Sequence, residues 1–123
     1  MPWVSLMLGG CLGTLCRYLV SGGVHQLLGT QFPYGTLSVN ILGCFLVGFL
    51  AAIGEERFLL STEARLFLII GFCGAFTTFS TFMFETADLI RAGESWRAFF
   101  YVISSVSVGF AVFRLGFLAG RTL

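Results

Sequence analysis

Charge is what this sequence has least of. Asp, Glu, Lys and Arg together make up 11% of its 123 residues, against about 25% in soluble proteins, and lysine is absent altogether. A small soluble domain must cover a large surface with polar groups, and these residues cannot cover one. A water-soluble domain is therefore excluded. The net charge of +1 leaves no basic footprint for a nucleic-acid partner. Paired cysteine spacing is missing too: Cys11, Cys16, Cys44 and Cys73 lie inside apolar runs with no histidine beside them. That pattern argues against a zinc site or disulfide framework and for buried, inert thiols. Neither a basic segment nor a small-residue cleavage site marks the start, so Met1 to Leu6 is expected to open a membrane helix rather than a signal peptide. No nucleophile–base pair is visible, and the single histidine, His25, falls in an expected loop without a partner, so an enzyme is not expected.

What the chain does contain is apolar length. Hydrophobic residues make up 57%, and a bilayer span needs roughly 20 mostly apolar residues per helix. Four runs meet that length, over about residues 3–24, 32–54, 64–89 and 96–119. They nearly exhaust the chain, which is expected to form a single transmembrane domain over 1–123. The fold class expected is all-α, an integral membrane protein of four transmembrane helices. Open sheet edges are not tolerated in lipid, and barrel-type alternation is absent. Pro33 suits a first helical turn, and Ser61 or Thr62 suits an N-cap. Short connections make neighbouring helices antiparallel and place both termini on one side.

The positive-inside rule reads orientation from basic residues, and here they are nearly balanced. Arg57, Arg65, Arg114 and Arg121 fall on the side of the termini; Arg17, Arg91 and Arg97 fall opposite. Two readings stand open. Either the chain inserts both ways and pairs as an antiparallel dimer, or the tally is a small-number accident and one orientation wins.

Several polar groups lie at membrane depth. Gly9-x-x-x-Gly13 and Gly116-x-x-x-Gly120 fit the small-residue pattern that lets helices approach closely, as the pair Gly43 and Gly48 does more loosely. Arg17 lies within the first span, where an arginine costs about 2.5–3.5 kcal/mol at the centre and less when it snorkels. A structural anchor is its expected role. Asn40 lies mid-span in the one segment without charge, and Thr36 shares its face one turn earlier. An amide brings donors without bringing charge, although helix–helix hydrogen bonding alone would account for it.

The third run is the most informative. Gly71-Phe72-Cys73-Gly74-Ala75-Phe76-Thr77-Thr78-Phe79-Ser80-Thr81-Phe82 places two glycines and four hydroxyl residues in the middle of a membrane helix. Glycine and adjacent β-branched threonines make a poor helix interior, so a break in this helix is predicted. A break is tolerated only where it is buried in protein or lines a wet cavity. The surrounding N–H and O–H groups and aromatic edges all present partial positive charge. Acidic residues wait until Glu85 and Asp88, near the end of the run. Cation pores favour acidic or carbonyl rings, so the pattern suits a small, hard anion. It does not by itself name one.

Three motifs in order, Gly10-x-x-Gly13-x-x-x-Arg17-Tyr18, Gly35-Thr36-Leu37-x-Val39-Asn40-x-x-Gly43 and the Gly71–Phe82 segment, resemble the successive signatures of the Fluc/CrcB family of fluoride channels. The resemblance covers the whole chain, and its third motif is the specific one. It implies a dual-topology antiparallel homodimer in the inner or plasma membrane that exports fluoride passively through two pores. Carried over, the pathway residues are Asn40, Phe79 and Phe82, with a hydroxyl track of Ser80 and Thr81 helped by Thr36. Tyr101, Ser104 and Ser105 are the matching positions of the fourth span. The resemblance also implies a sodium ion on the dimer axis, held by backbone carbonyls at Gly74 and Ala75. Two other classes compete. A proton-coupled multidrug exporter needs a membrane-embedded carboxylate, and the first two spans have none. A membrane assembly subunit would use the hydroxyl and phenylalanine cluster only for packing.

Overall fold

A computed structural model describes residues 1–123. The chain is all helix and has four helical stretches long and apolar enough to cross a membrane. Helix α1 spans Pro2–Leu28 and α2 spans Tyr34–Glu55. The third stretch is composite: α3 (Thr62–Arg65), a π-helical segment (Leu66–Cys73), α4 (Gly74–Phe76) and, after a gap, α5 (Ser80–Arg91). Helix α6 closes the chain over Ser95–Thr122.

The ends of these helices follow local chemistry. Pro2 occupies the first turn of α1, where a missing N–H costs nothing. Pro33 sits one residue before α2 rather than inside its first turn, and its carbonyl accepts from Leu37 N at 3.1 Å. Ser61 is the cap of α3: its hydroxyl oxygen accepts from Ala64 N at 3.1 Å. The turns after α1 and α5 carry Gly29 and Gly93 with φ of 90° and 79°, a region that glycine enters without a steric penalty. Helix α1 consequently runs four residues beyond the expected end of its span, so His25 is a helical residue and not a loop residue.

Glycine faces set the packing. Added Cβ atoms at Gly9 and Gly13 would collide with the Phe67 and Phe72 carbonyl oxygens, so α1 lies directly on the π-helical backbone. Gly48 of α2 and Gly116 of α6 approach each other's helices in the same way, against the Phe113 and Phe45 carbonyls. Both small-residue motifs are thus contact faces, as expected for helices that associate in lipid. Glu63 ties the start of α3 to α1, accepting from Ser5 Oγ at 2.6 Å and pairing with the Met1 amino group at 3.3 Å.

At the opposite end, Phe32, Phe82, Leu89, Ala98 and Tyr101 form a buried cluster between α2, α5 and α6. The outer surface is apolar along its length: Leu15, Leu19, Leu42, Ile70, Phe84, Val106 and Leu115 are all exposed. Such a surface on a water-soluble monomer would be an association site. Around four spanning helices it is where lipid or a partner helix packs.

Candidate functional site: a broken helix between two cavities

The third stretch loses its helix at Thr77, Thr78 and Phe79, inside the segment where the sequence predicts a break. Thr77 turns to extended backbone, with φ −93° and ψ 161°. A break leaves carbonyls unpaired behind it and N–H groups unpaired ahead of it, and each needs a partner in a medium without water.

Side chains supply several of these partners. Asn40 Nδ2 donates to the Thr78 carbonyl at 3.0 Å, and Asn40 Oδ1 accepts from Thr78 N at 2.8 Å. Thr77 Oγ1 donates back to the Cys73 carbonyl at 2.9 Å. Thr78 Oγ1 accepts from Thr81 N at 3.2 Å and caps the start of α5. Arg17 Nε donates to the Ala75 carbonyl at 3.0 Å, placing a cation at the C-terminal end of α4, where the helix dipole favours one. The Gly74 and Thr77 carbonyls accept nothing from the chain.

Two cavities flank the break, and Thr78 lines both. The first, of about 360 Å3, is bounded by Asn40, Thr77, Phe79, Phe82 and Ser105. Its Phe79 and Phe82 rings meet edge to face at 5.9 Å, and Phe82 meets Tyr101 likewise at 4.9 Å. Ser105 Oγ is buried here without any hydrogen-bond partner. The second cavity, of about 660 Å3, is lined by Arg17, Thr36, Thr78, Thr81 and Glu85 among others.

The expected pathway residues therefore divide. Asn40, Phe79, Phe82 and Ser105 converge on the smaller cavity, and Thr36 and Thr81 face the larger one. Ser80, Ser104 and Tyr101 line neither. Ser104 Oγ donates to its own helix, at the Tyr101 carbonyl. Thr36 and Tyr101 direct their hydroxyl protons to one carboxylate, Glu85, at 3.0 and 2.8 Å. Of the two expected sodium-holding carbonyls, Gly74 is free, whereas Ala75 is occupied by the Arg17 guanidinium. The Thr77 carbonyl at the break is free as well.

Sequence reasoning missed Thr78 and Glu85. A signal for both was present, since Thr78, Thr81 and Glu85 stand at i, i+3 and i+7 on one helical face. Counting from the end of the third run set Glu85 aside; counting from the break puts it in the second turn of α5.

The sequence pattern of the CrcB-like protein, Camphor Resistance (CrcB) family matches residues 4–117. The chain belongs to this family. Among CrcB-like relatives, a protein of Maridesulfovibrio salexigens is 44% identical over 122 residues, covering 98% of this chain and 96% of its own length. One of Solidesulfovibrio magneticus is 47% identical over 118 residues, covering 96% and 94%. One of Chlorobaculum tepidum is 48% identical over 113 residues, covering 92% and 89%. Each of the three is named a fluoride-specific ion channel, FluC.

Proposed function

We propose that this CrcB-like chain is a fluoride-selective ion channel that exports fluoride passively. The name its relatives carry supports the ion. The observation that carries the mechanism is the smaller cavity, where donors without formal charge converge. Ser105 Oγ–H has no protein partner there. Asn40 Nδ2 has two protons, and its one recorded hydrogen bond goes to Thr78. The edges of Phe79 and Phe82 add weak positive potential. Such groups replace the water shed by a small halide without holding it as a fixed cation would. Thr81 and the exposed Ser80 extend the track towards the larger cavity, and Thr36 and Tyr101 act through Glu85.

The working unit is an antiparallel homodimer of dual topology with two pores, in the inner or plasma membrane. The near-even arginine tally and the apolar outer surface support that assembly. Bound sodium fits the break through carbonyl oxygens, the ligand type that discontinuous membrane helices offer cations. Gly74 and Thr77 would hold it, and its charge would lock the break at the dimer axis. Ala75 fits poorly, because the Arg17 cation stands on its carbonyl.

The test is fluoride efflux from liposomes containing purified protein, with potassium moved by an ionophore to balance charge. Efflux without a proton gradient, unaffected by excess chloride, is the expected result. One observation favours a second reading: Glu85 is a half-buried carboxylate held by two hydroxyls, as a proton-coupled exporter requires. Efflux that stops when the proton gradient is collapsed would select the exporter.

A further inference from the structure

A third cavity, of about 390 Å3, adjoins the larger one and is bounded by Gln31, Pro33 and Asp88 among others. The two share only His25 and Glu85. An imidazole and a carboxylate therefore form the junction common to both cavities. The imidazole is held firmly. His25 Nδ1 lies 3.2 Å from the Gly29 carbonyl, which can only accept, so Nδ1 carries the proton of the neutral ring. Nε2 is then the atom that takes a second proton. It stands against Gly35, where an added Cβ would lie 2.5 Å from it, so the ring is wedged between the end of α1 and the start of α2. The charged and titratable groups facing this junction are Arg17 and Tyr18 from α1 and Glu85 and Asp88 from α5; α2 presents Gly35 and Thr36.

We propose that His25 is a conduction residue at the mouth of the pathway, whose imidazolium draws fluoride past the Glu85 and Asp88 carboxylates. The proposal rests on the fluoride-channel reading and adds a residue and a regulation to it. Histidine is the side chain that changes charge between pH 5 and 8. A positive ring offsets the negative potential of the two acids and raises the local anion concentration. The neutral ring leaves the acids unopposed. Fluoride flux therefore rises as the medium is acidified, with the rise located at this one side chain.

The experiment compares fluoride efflux at about pH 8 and about pH 6, bracketing imidazole titration, with both faces of the vesicle at the same pH and protein-free leak subtracted. The expected rate for the unmodified chain is about threefold higher at the lower pH, the scale of one screened charge near a pore mouth. His25→Gln is expected to bring that ratio close to one. His25→Arg is expected to flatten the profile as well, but at a rate above that of the unmodified chain at pH 8. If His25→Gln keeps the threefold ratio, or His25→Arg is no faster at pH 8, the proposal is overturned. Should the Gln variant not fold, the Arg variant decides alone. Flux without pH dependence in the unmodified chain removes His25 and leaves the channel reading standing. No flux above leak at either pH removes the channel reading itself.

Discussion

Asn40 and Thr78 are joined by two hydrogen bonds, one at 3.0 Å to the Thr78 carbonyl and one at 2.8 Å from its N–H. The side-chain amide behaves as a surrogate peptide group. It pairs with both backbone groups of the residue that the helix abandons. Asn40 is therefore a clasp holding the third span broken, and it lines the smaller cavity with one Nδ2–H left without a partner in the chain.

Asn40→Asp separates these roles from simple size. The carboxylate keeps an acceptor for Thr78 N but sets a second acceptor against the Thr78 carbonyl. Leaving that half-buried carbonyl without a donor costs about 1 kcal/mol, the lower end of the range for a buried group. The variant is expected to unfold at lower temperature in detergent and to lose fluoride efflux by tenfold or more. An unchanged melting temperature would mean that the clasp contributes nothing to the break.

Ser105→Ala should do the opposite. Ser105 Oγ has no partner in the chain, so its removal breaks no internal hydrogen bond and frees an unsatisfied buried group. Stability is expected to stay within about 0.5 kcal/mol or to rise slightly, while fluoride efflux falls several-fold. Thermal unfolding and efflux measured on the same preparation check both halves. A stable variant with full efflux would take Ser105 out of the pathway.

Much of this architecture was readable in the sequence because lipid imposes simple rules. Apolar length located the four helical stretches, and the density of glycine and hydroxyl residues between Gly71 and Phe82 located the break. The glycine pairs at 9 and 13 and at 116 and 120 proved to be contact faces because a missing side chain matters only where two backbones meet. What sequence could not carry were partnerships made across helices. Nothing near Thr78 in the chain announces Asn40, 38 residues away, or assigns the Ala75 carbonyl to Arg17, 58 residues away. His25 was misplaced in a loop because apolar content ends before the helix does. Gly29, not the last hydrophobic residue, sets the end of α1.

Tyr101→Phe tests the hydroxyl pair on Glu85. Tyr101 is fully buried, and its OH lies 2.8 Å from Oε1 of the carboxylate. A hydrogen bond to a charged group contributes about 1.5–3 kcal/mol, and the partly open site of Glu85 places this one at the lower end. The phenylalanine variant should be destabilised by about 1.5 kcal/mol. In the Glu85→Gln background the same substitution should be milder, giving a coupling of at least about 0.5 kcal/mol in the double-mutant cycle. Additive effects would show that the two groups act independently.

The proposed dual insertion can be tested by biasing the chain, because orientation follows the distribution of basic residues near the spans and the present tally is four against three. Phe58 and Leu59 are exposed in the connection between α2 and α3; Thr30 and Ser95 are exposed on the opposite side. Phe58→Lys with Leu59→Lys should drive the chain to one orientation, and Thr30→Lys with Ser95→Lys to the other. Reporter tags at the C-terminus read the orientation of each. An antiparallel dimer needs one chain of each kind, so either biased variant expressed alone should fail to protect cells from fluoride, and the two expressed together should restore protection. Full protection by one biased variant alone, with tags confirming a single orientation, would rule out the antiparallel pair and leave a parallel or monomeric channel in its place.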